Sequence, residues 1–188
     1  MRRTARAAIQ RGGILMELRR RNRRPRHLDL VLLCDVSGSM RYAALLMLEL
    51  IAGARDFFRH FHSFVYVDSL AEGGFERNHL VTTPPVDFYA RSDFGRVLAQ
   101  LWDQRNALMT RATVIVIIGD GRNNRRAPRA ELLRDLRRHC RVIIWLNPEP
   151  PERWGTGDSA ILRYGREVNH LIFSGNLAEL ERGLRRIG

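Results

Sequence analysis

Thr113-Val114-Ile115-Val116-Ile117-Ile118 is a run of strand-forming residues without polar alternation, and Gly119-Asp120-Gly121 ends it. A strand wet on one face alternates; an unbroken apolar run has both faces covered, as in a parallel sheet packed between layers. Leu30-Val31-Leu32-Leu33-Cys34 repeats the pattern and runs into Asp35-Val36-Ser37-Gly38-Ser39. Each strand thus delivers an acid at its carboxyl end. In open α/β sheets ligands gather outside those ends, where the strand order reverses. If the two strands are neighbours, Asp35 and Asp120 meet.

The remaining periodicity fills in such a sheet. Apolar residues at three- and four-residue spacing predict helices over 40–60, 94–102, 128–139, 159–164 and 177–187. Further strands are predicted at 63–67, 142–146 and 170–173, with an edge strand near 78–81 inside an otherwise irregular stretch, 75–89. Pro128 suits a first helical turn. Strands alternating with helices imply βαβ units. The expected fold is α/β: a doubly wound, mainly parallel sheet with helices on both faces. At 188 residues the chain fits one domain, expected over 28–188 behind an arginine-rich lead-in, 1–27.

Charge divides along the same boundary. Of the formal net charge of +12, residues 1–27 hold nine, with ten Arg against Glu17. The chain contains no Lys, so its cations other than histidine are guanidinium groups, suited to paired recognition of carboxylate or phosphate. The lead-in is either a solvated segment or a basic arm for nucleic acid or a membrane surface. No aromatic residue interleaves it, which removes the stacking half of a single-strand binder. The basic-arm reading predicts steeply salt-dependent binding that disappears without residues 1–27. Met1-Arg2-Arg3 is not followed by an apolar h-region, and Cys34 falls in an expected core strand and Cys140 at a helix–strand junction; both point to a cytoplasmic protein with reduced thiols.

Several chemistries fail on the residues alone. The loop after the first strand lacks Gly-x-Gly-x-x-Gly, and without Lys there is no Gly-Lys-Ser/Thr phosphate loop. An aspartyl-phosphate route through Asp35 lacks a second acid, because Ser37 stands where it is needed. A serine hydrolase is the stronger rival: Ser37, Asp120 and then His139 or His170 follow the chain order of an α/β-hydrolase triad. However, Asp35 occupies the first glycine position of the nucleophile elbow and would repel an oxyanion. Strand, Asp-x-Ser-x-Ser, helix instead gathers hard oxygen ligands, which suit Mg²⁺. Ser92, just before the 94–102 helix, offers one more hydroxyl, or simply an N-cap.

Asp35-x-Ser37-x-Ser39, Ser92 and Asp120 together resemble the metal-ion-dependent adhesion site of von Willebrand factor A-type domains. That family usually places Thr where this chain has Ser92, and the hydroxyl survives the exchange. Ser92-Asp93-Phe94-Gly95-Arg96, Gly119-Asp120-Gly121-Arg122-Asn123-Asn124, Trp145-Leu146-Asn147-Pro148-Glu149-Pro150 and Trp154-Gly155-Thr156-Gly157-Asp158-Ser159 look like its CoxE-like branch, over about residues 26–187. The resemblance implies a Rossmann-like fold and binding without catalysis. Mg²⁺ (or Mn²⁺) would be held by Asp35, Ser37, Ser39, Ser92 and Asp120, and an acidic side chain of a protein partner would complete it. It further implies work with a MoxR-type AAA+ ATPase in assembling or remodelling a client complex. Arg122, Asn123, Glu149 and Trp154, on loops expected to rim the metal, are candidate partner contacts; the alternative is that they pack or are solvated.

Overall fold

The computed structural model describes residues 28–40, 55, 58–76, 79–176, 179 and 182. The lead-in 1–27 and most of the helices expected over 40–60 and 177–187 lie outside these residues. Seven strands form one sheet: β1 Asp29–Asp35, β2 Phe61–Tyr66, β3 Leu70–Glu76, β4 His79–Thr83, β5 Thr113–Ile118, β6 Val142–Asn147 and β7 His170–Phe173. Their spatial order is β4-β3-β2-β1-β5-β6-β7. β1 pairs in parallel with both β2 and β5, and β6 and β7 continue the parallel run. β3 is antiparallel to β2 and β4, so β4 again points the same way as β1.

The sheet is therefore mixed but mainly parallel, and the two apolar runs are adjacent at its centre, with Leu33 opposite Ile117. Strand order reverses at β1. The chain reaches β2 on one side of it and β5 on the other, so the gap between their connections opens above Asp35.

Three helices are described: α1 Phe94–Leu108, α2 Glu131–Leu136 and α3 Ile161–Glu167. Their buried residues (Phe94, Val97, Leu98, Leu101, Leu133, Leu136, Ile161, Tyr164) pack on the sheet face formed by Val31, Leu33, Ile115, Ile117, Ile143 and Trp145. The opposite face, with Leu32, Cys34, Val65, Ile118 and Leu146, is also buried. That double burial is why the central runs carry no polar alternation. Phe94 is the hub of the first layer: its ring lies 5.0–5.2 Å from those of Tyr66, Trp145 and Tyr164. Such edge and tilted contacts fix the first turn of α1 against the sheet.

Three expectations are corrected. β3 was not expected: Gly73 and Gly74 dilute its pattern, yet a Cβ at Gly73 would lie 2.8 Å from Val65, so the close approach of β3 to β2 requires glycine there. α1 runs on to Leu108 beyond the apolar stripe, helped by Arg105, which donates to the Trp102 carbonyl at 2.8 Å and stacks over its ring. α2 starts at Glu131 rather than at Pro128, because Arg129 adopts a left-handed φ of 49° that no helix continues.

At the amino end of β1 the buried Asp29 carboxylate accepts bonds from Arg59 Nε (3.0 Å) and Nη2 (2.9 Å) and from Thr110 Oγ1 (2.9 Å), and His60 Nδ1 lies 2.9 Å away. The bond from Arg59, ahead of those from Thr110 and His60, holds its pKa well below the ordinary carboxylate range despite burial. A depressed folded pKa stabilises above the unfolded value of 3.8, and the gain is lost as pH falls. Asp29→Asn is expected to cost about 1.5–3 kcal/mol near pH 6. The deficit should shrink below about pH 4, read as the gap between the two melting curves.

Candidate metal centre

The carboxyl ends of β1 and β5 bring the predicted residues together. Val36 N–H donates to the Tyr66 carbonyl (3.0 Å), carrying the β1 ladder one residue past Asp35 before the chain turns. Ser37 N–H then donates to Asp35 Oδ1 at 2.8 Å, an Asx-type turn that folds the loop over its own acid. The turn sets Ser37 Oγ 3.4 Å from Ser39 Oγ, and Ser39 Oγ donates to Asp120 Oδ2 at 2.9 Å. Asp35, Ser37 and Asp120 are all less than a tenth exposed.

Gly119 allows the approach. A Cβ there would lie 2.7 Å from the Tyr66 hydroxyl and 3.4 Å from Asp35 Cβ. With two acids this close in a buried corner, the charged forms are disfavoured. Burial, then the Asp120 charge, pushes Asp35 up to about 7. Burial also raises Asp120, opposed by bonds from the Arg122 N–H and the Ser39 hydroxyl. Arg122, whose Nε lies 3.7 Å from Asp120, offsets part of this negative charge.

Ser92 reaches the same edge from a third loop. Asp93 N–H donates to the Val67 carbonyl just past β2 (3.0 Å), and Asn124 Nδ2 donates to the Ser92 carbonyl (3.3 Å). Ser92 is buried, but among the described residues no hydrogen bond joins its hydroxyl to the other four side chains. Its alternative role as helix cap falls to Asp93, whose carboxylate accepts from Arg96 N–H at 3.0 Å.

The four candidate partner contacts have internal partners. Arg122 lies 3.7 Å from Asp120 through Nε, and donates to Asp158 (2.9 Å) and Glu149 (2.5 Å) through its two terminal nitrogens. One guanidinium thus ties the 147–158 loop to the end of β5. Glu149 is mostly buried, and its second oxygen has no hydrogen-bond partner. Asn123 is 1% exposed; its side chain accepts from Phe94 N–H (2.7 Å) and donates to the Arg126 carbonyl (3.0 Å). Trp154 packs on the core and donates its indole N–H to the Glu149 carbonyl (2.7 Å). These residues build the rim.

The rival triad is not assembled. His139 follows α2 and His170 opens β7, so both stand at the amino edge of the parallel strands, opposite Ser37. Among the described residues no group of three His, Cys, Asp or Glu is placed to hold a metal ion. Two carboxylates with two hydroxyls, and Ser92 beside them, fit a hard cation.

The model of VWA domain containing CoxE-like proteins matches residues 1–180. The chain belongs to that family. The match takes in the arginine-rich lead-in as well as the sheet. Among solved structures, this CoxE-like chain is similar to a von Willebrand factor type A protein from Catenulispora acidiphila (14% identity, TM-score 0.57, 86% of this chain, 42% of that one). Mussel-byssus proximal thread matrix protein 1, solved with a zinc-occupied MIDAS motif, is similar too (14% identity, TM-score 0.52, 86% of this chain, 45% of that one). At these identities the likeness establishes the fold, which is Rossmann-like α/β. The CoxE-like chain spans less than half the length of either structure. Comparison with curated proteins finds no similar sequence.

Proposed function

We propose that the chain is a non-catalytic protein-binding module whose contact with its partner depends on a divalent cation. The Ser37–Ser39–Asp120 chain of oxygens beside Asp35, with both acids and Ser37 buried and Ser39 open to solvent, carries this reading. Asp35, Ser37, Ser39 and Asp120 would hold the ion, with Ser92 as a fifth oxygen donor; the mussel protein's zinc-occupied motif supports a metal in this place. When bound, the cation supplies an electrophilic point to which an anionic side chain can attach.

This chain's own residues do the rest. Ser37 N–H fixes the Asp35 carboxylate, and Arg122 N–H fixes Asp120 at 3.0 Å, so neither acid has to reorganise. The hydroxyls add oxygens without adding negative charge. Two acids then neutralise a divalent ion without surplus negative charge, and Arg122 adds a positive charge 3.7 Å from Asp120, so a partner's Asp or Glu can approach an open coordination position without net repulsion. Oxygen donors favour Mg²⁺ or Mn²⁺.

Kinship with the CoxE-like branch supports a MoxR-type AAA+ ATPase as companion and a client complex as target, in the cytoplasm. Among the described residues no helix is long and apolar enough to cross a membrane. The test is calorimetric titration of Mg²⁺ and Mn²⁺ into chelator-treated protein, with Asp120→Ala alongside and circular dichroism on both. Saturable binding that vanishes in a folded variant is expected; folded wild type that binds neither ion refutes the reading.

A further inference from the structure

The loop 84–93 joins the end of β4 to α1, and β4 runs in the same direction as β1, so this loop stands on the edge that carries Asp35 and Asp120. Val86 and Ala90, partly buried, pack against the core of the second sheet face and anchor it there. Between them, Asp87 closes a turn: its side chain accepts from Tyr89 N–H (2.9 Å) and its carbonyl from Ala90 N–H (3.2 Å). The outcome is unusual for a pinned loop. Its two aromatic rings are left in solvent, Tyr89 at 96% exposure and Phe88 at 44%.

Single exposed apolar residues need no explanation, but adjacent aromatic rings on a fixed turn beside a polar site mark an interaction surface. Aromatic residues are also the commonest anchors of such surfaces. Arg91, Arg125 and Arg126 are exposed on the flanking loops; against them stand Asp93, which pairs with Arg126 at 3.4 Å, and the exposed Asp87, so these loops carry one net positive charge. The chain's own arginine-rich lead-in, with ten Arg, is electrostatically the wrong occupant. Tyr89 lies three residues from Ser92, so their Cα atoms are at most about 11 Å apart, which an extended peptide spans in about three residues.

We propose that Phe88 and Tyr89 form a second contact point beside the metal, fitting a partner segment that carries an acidic residue with an aliphatic residue about three positions away. This rests on the metal reading above: the cation takes the acid, and the aromatic turn selects which acid. Burying one leucine against the rings is expected to tighten binding about tenfold or more.

The test uses two synthetic Gly/Ser peptides bearing a single Asp, one of them with Leu placed about three residues to either side. Each is titrated in Mg²⁺ into wild type and into Phe88→Ser/Tyr89→Ser, with Mg²⁺ alone titrated into both proteins. The expected result is tighter binding of the Leu peptide to wild type, loss of that advantage in the double variant, and unchanged Mg²⁺ binding. Equal affinity of the two peptides for wild type, or an advantage that survives in the variant, overturns the aromatic contact and leaves the metal reading standing. Absence of Mg²⁺ binding in wild type removes both. Concentration-dependent dimerisation lost in the double variant assigns the rings to a second copy of the chain, which also overturns the proposal.

Discussion

Asp120→Asn is expected to raise the melting temperature in chelator and to abolish the rise that Mg²⁺ gives the wild type. Asp35 and Asp120 share a buried corner, where burial and mutual repulsion make two charges unfavourable. Asparagine keeps a carbonyl oxygen for the Ser39 hydroxyl or the Arg122 N–H, which now bond to the carboxylate, while removing one charge. Without metal, the variant should therefore exceed the wild type. With Mg²⁺ at a hundred times its dissociation constant, the wild type gains about 2.7 kcal/mol by mass action. For a chain of this size that is roughly 5–10 °C. The variant should gain almost none. Thermal melts in chelator and in Mg²⁺ would show the order of the two proteins reversing; a variant that is less stable in both would mean that Asp120 is a structural acid and not a ligand.

Gly95→Ala is expected to cost about 3 kcal/mol, near the upper end for overpacking, while Gly38→Ala costs next to nothing. Gly38 sits in the loop after β1 and Gly95 in the first turn of α1, both next to candidate site residues, and residue type alone does not separate them. A Cβ at Gly95 would lie 2.1 Å from the Ala127 carbonyl oxygen, a backbone atom with no rotamer to escape into. The 121–128 segment cannot drift away freely, because Asn123 ties it to Phe94 N–H (2.7 Å) at the start of α1. Any shift must pass through Asn123 to Asp120 or through Phe94 into the aromatic cluster. Metal affinity should fall with stability. At Gly38 nothing lies within 4 Å of the added methyl group. Chemical denaturation of the two variants side by side is the check. Similar midpoints would show that the helix and the loop have room to separate.

The site was legible because its parts are local. Two uninterrupted apolar runs, each ending in an acid, specify buried parallel strands and place Asp35 and Asp120 at the same kind of edge before any contact is known. Asp-x-Ser-x-Ser sets its own turn through the Ser37 N–H. These features depend on neighbours one to four residues away, and the sequence states them directly. β3 escaped because its place is set by pairing on both sides, with Gly73 there for closeness to Val65 rather than for any local preference.

The sequence alone thus determined the mainly parallel α/β sheet and the oxygen donors at the ends of its two central strands, since hydrophobic period and turn chemistry are short-range. Only the tertiary structure decided what surrounds those donors. It tied Arg122, Asn123, Glu149 and Trp154 to internal partners, sent His139 and His170 to the far edge, and left Phe88 and Tyr89 exposed. Each of these outcomes depends on residues dozens of positions apart meeting across the sheet. No local pattern encodes which side of a loop such a meeting will bury.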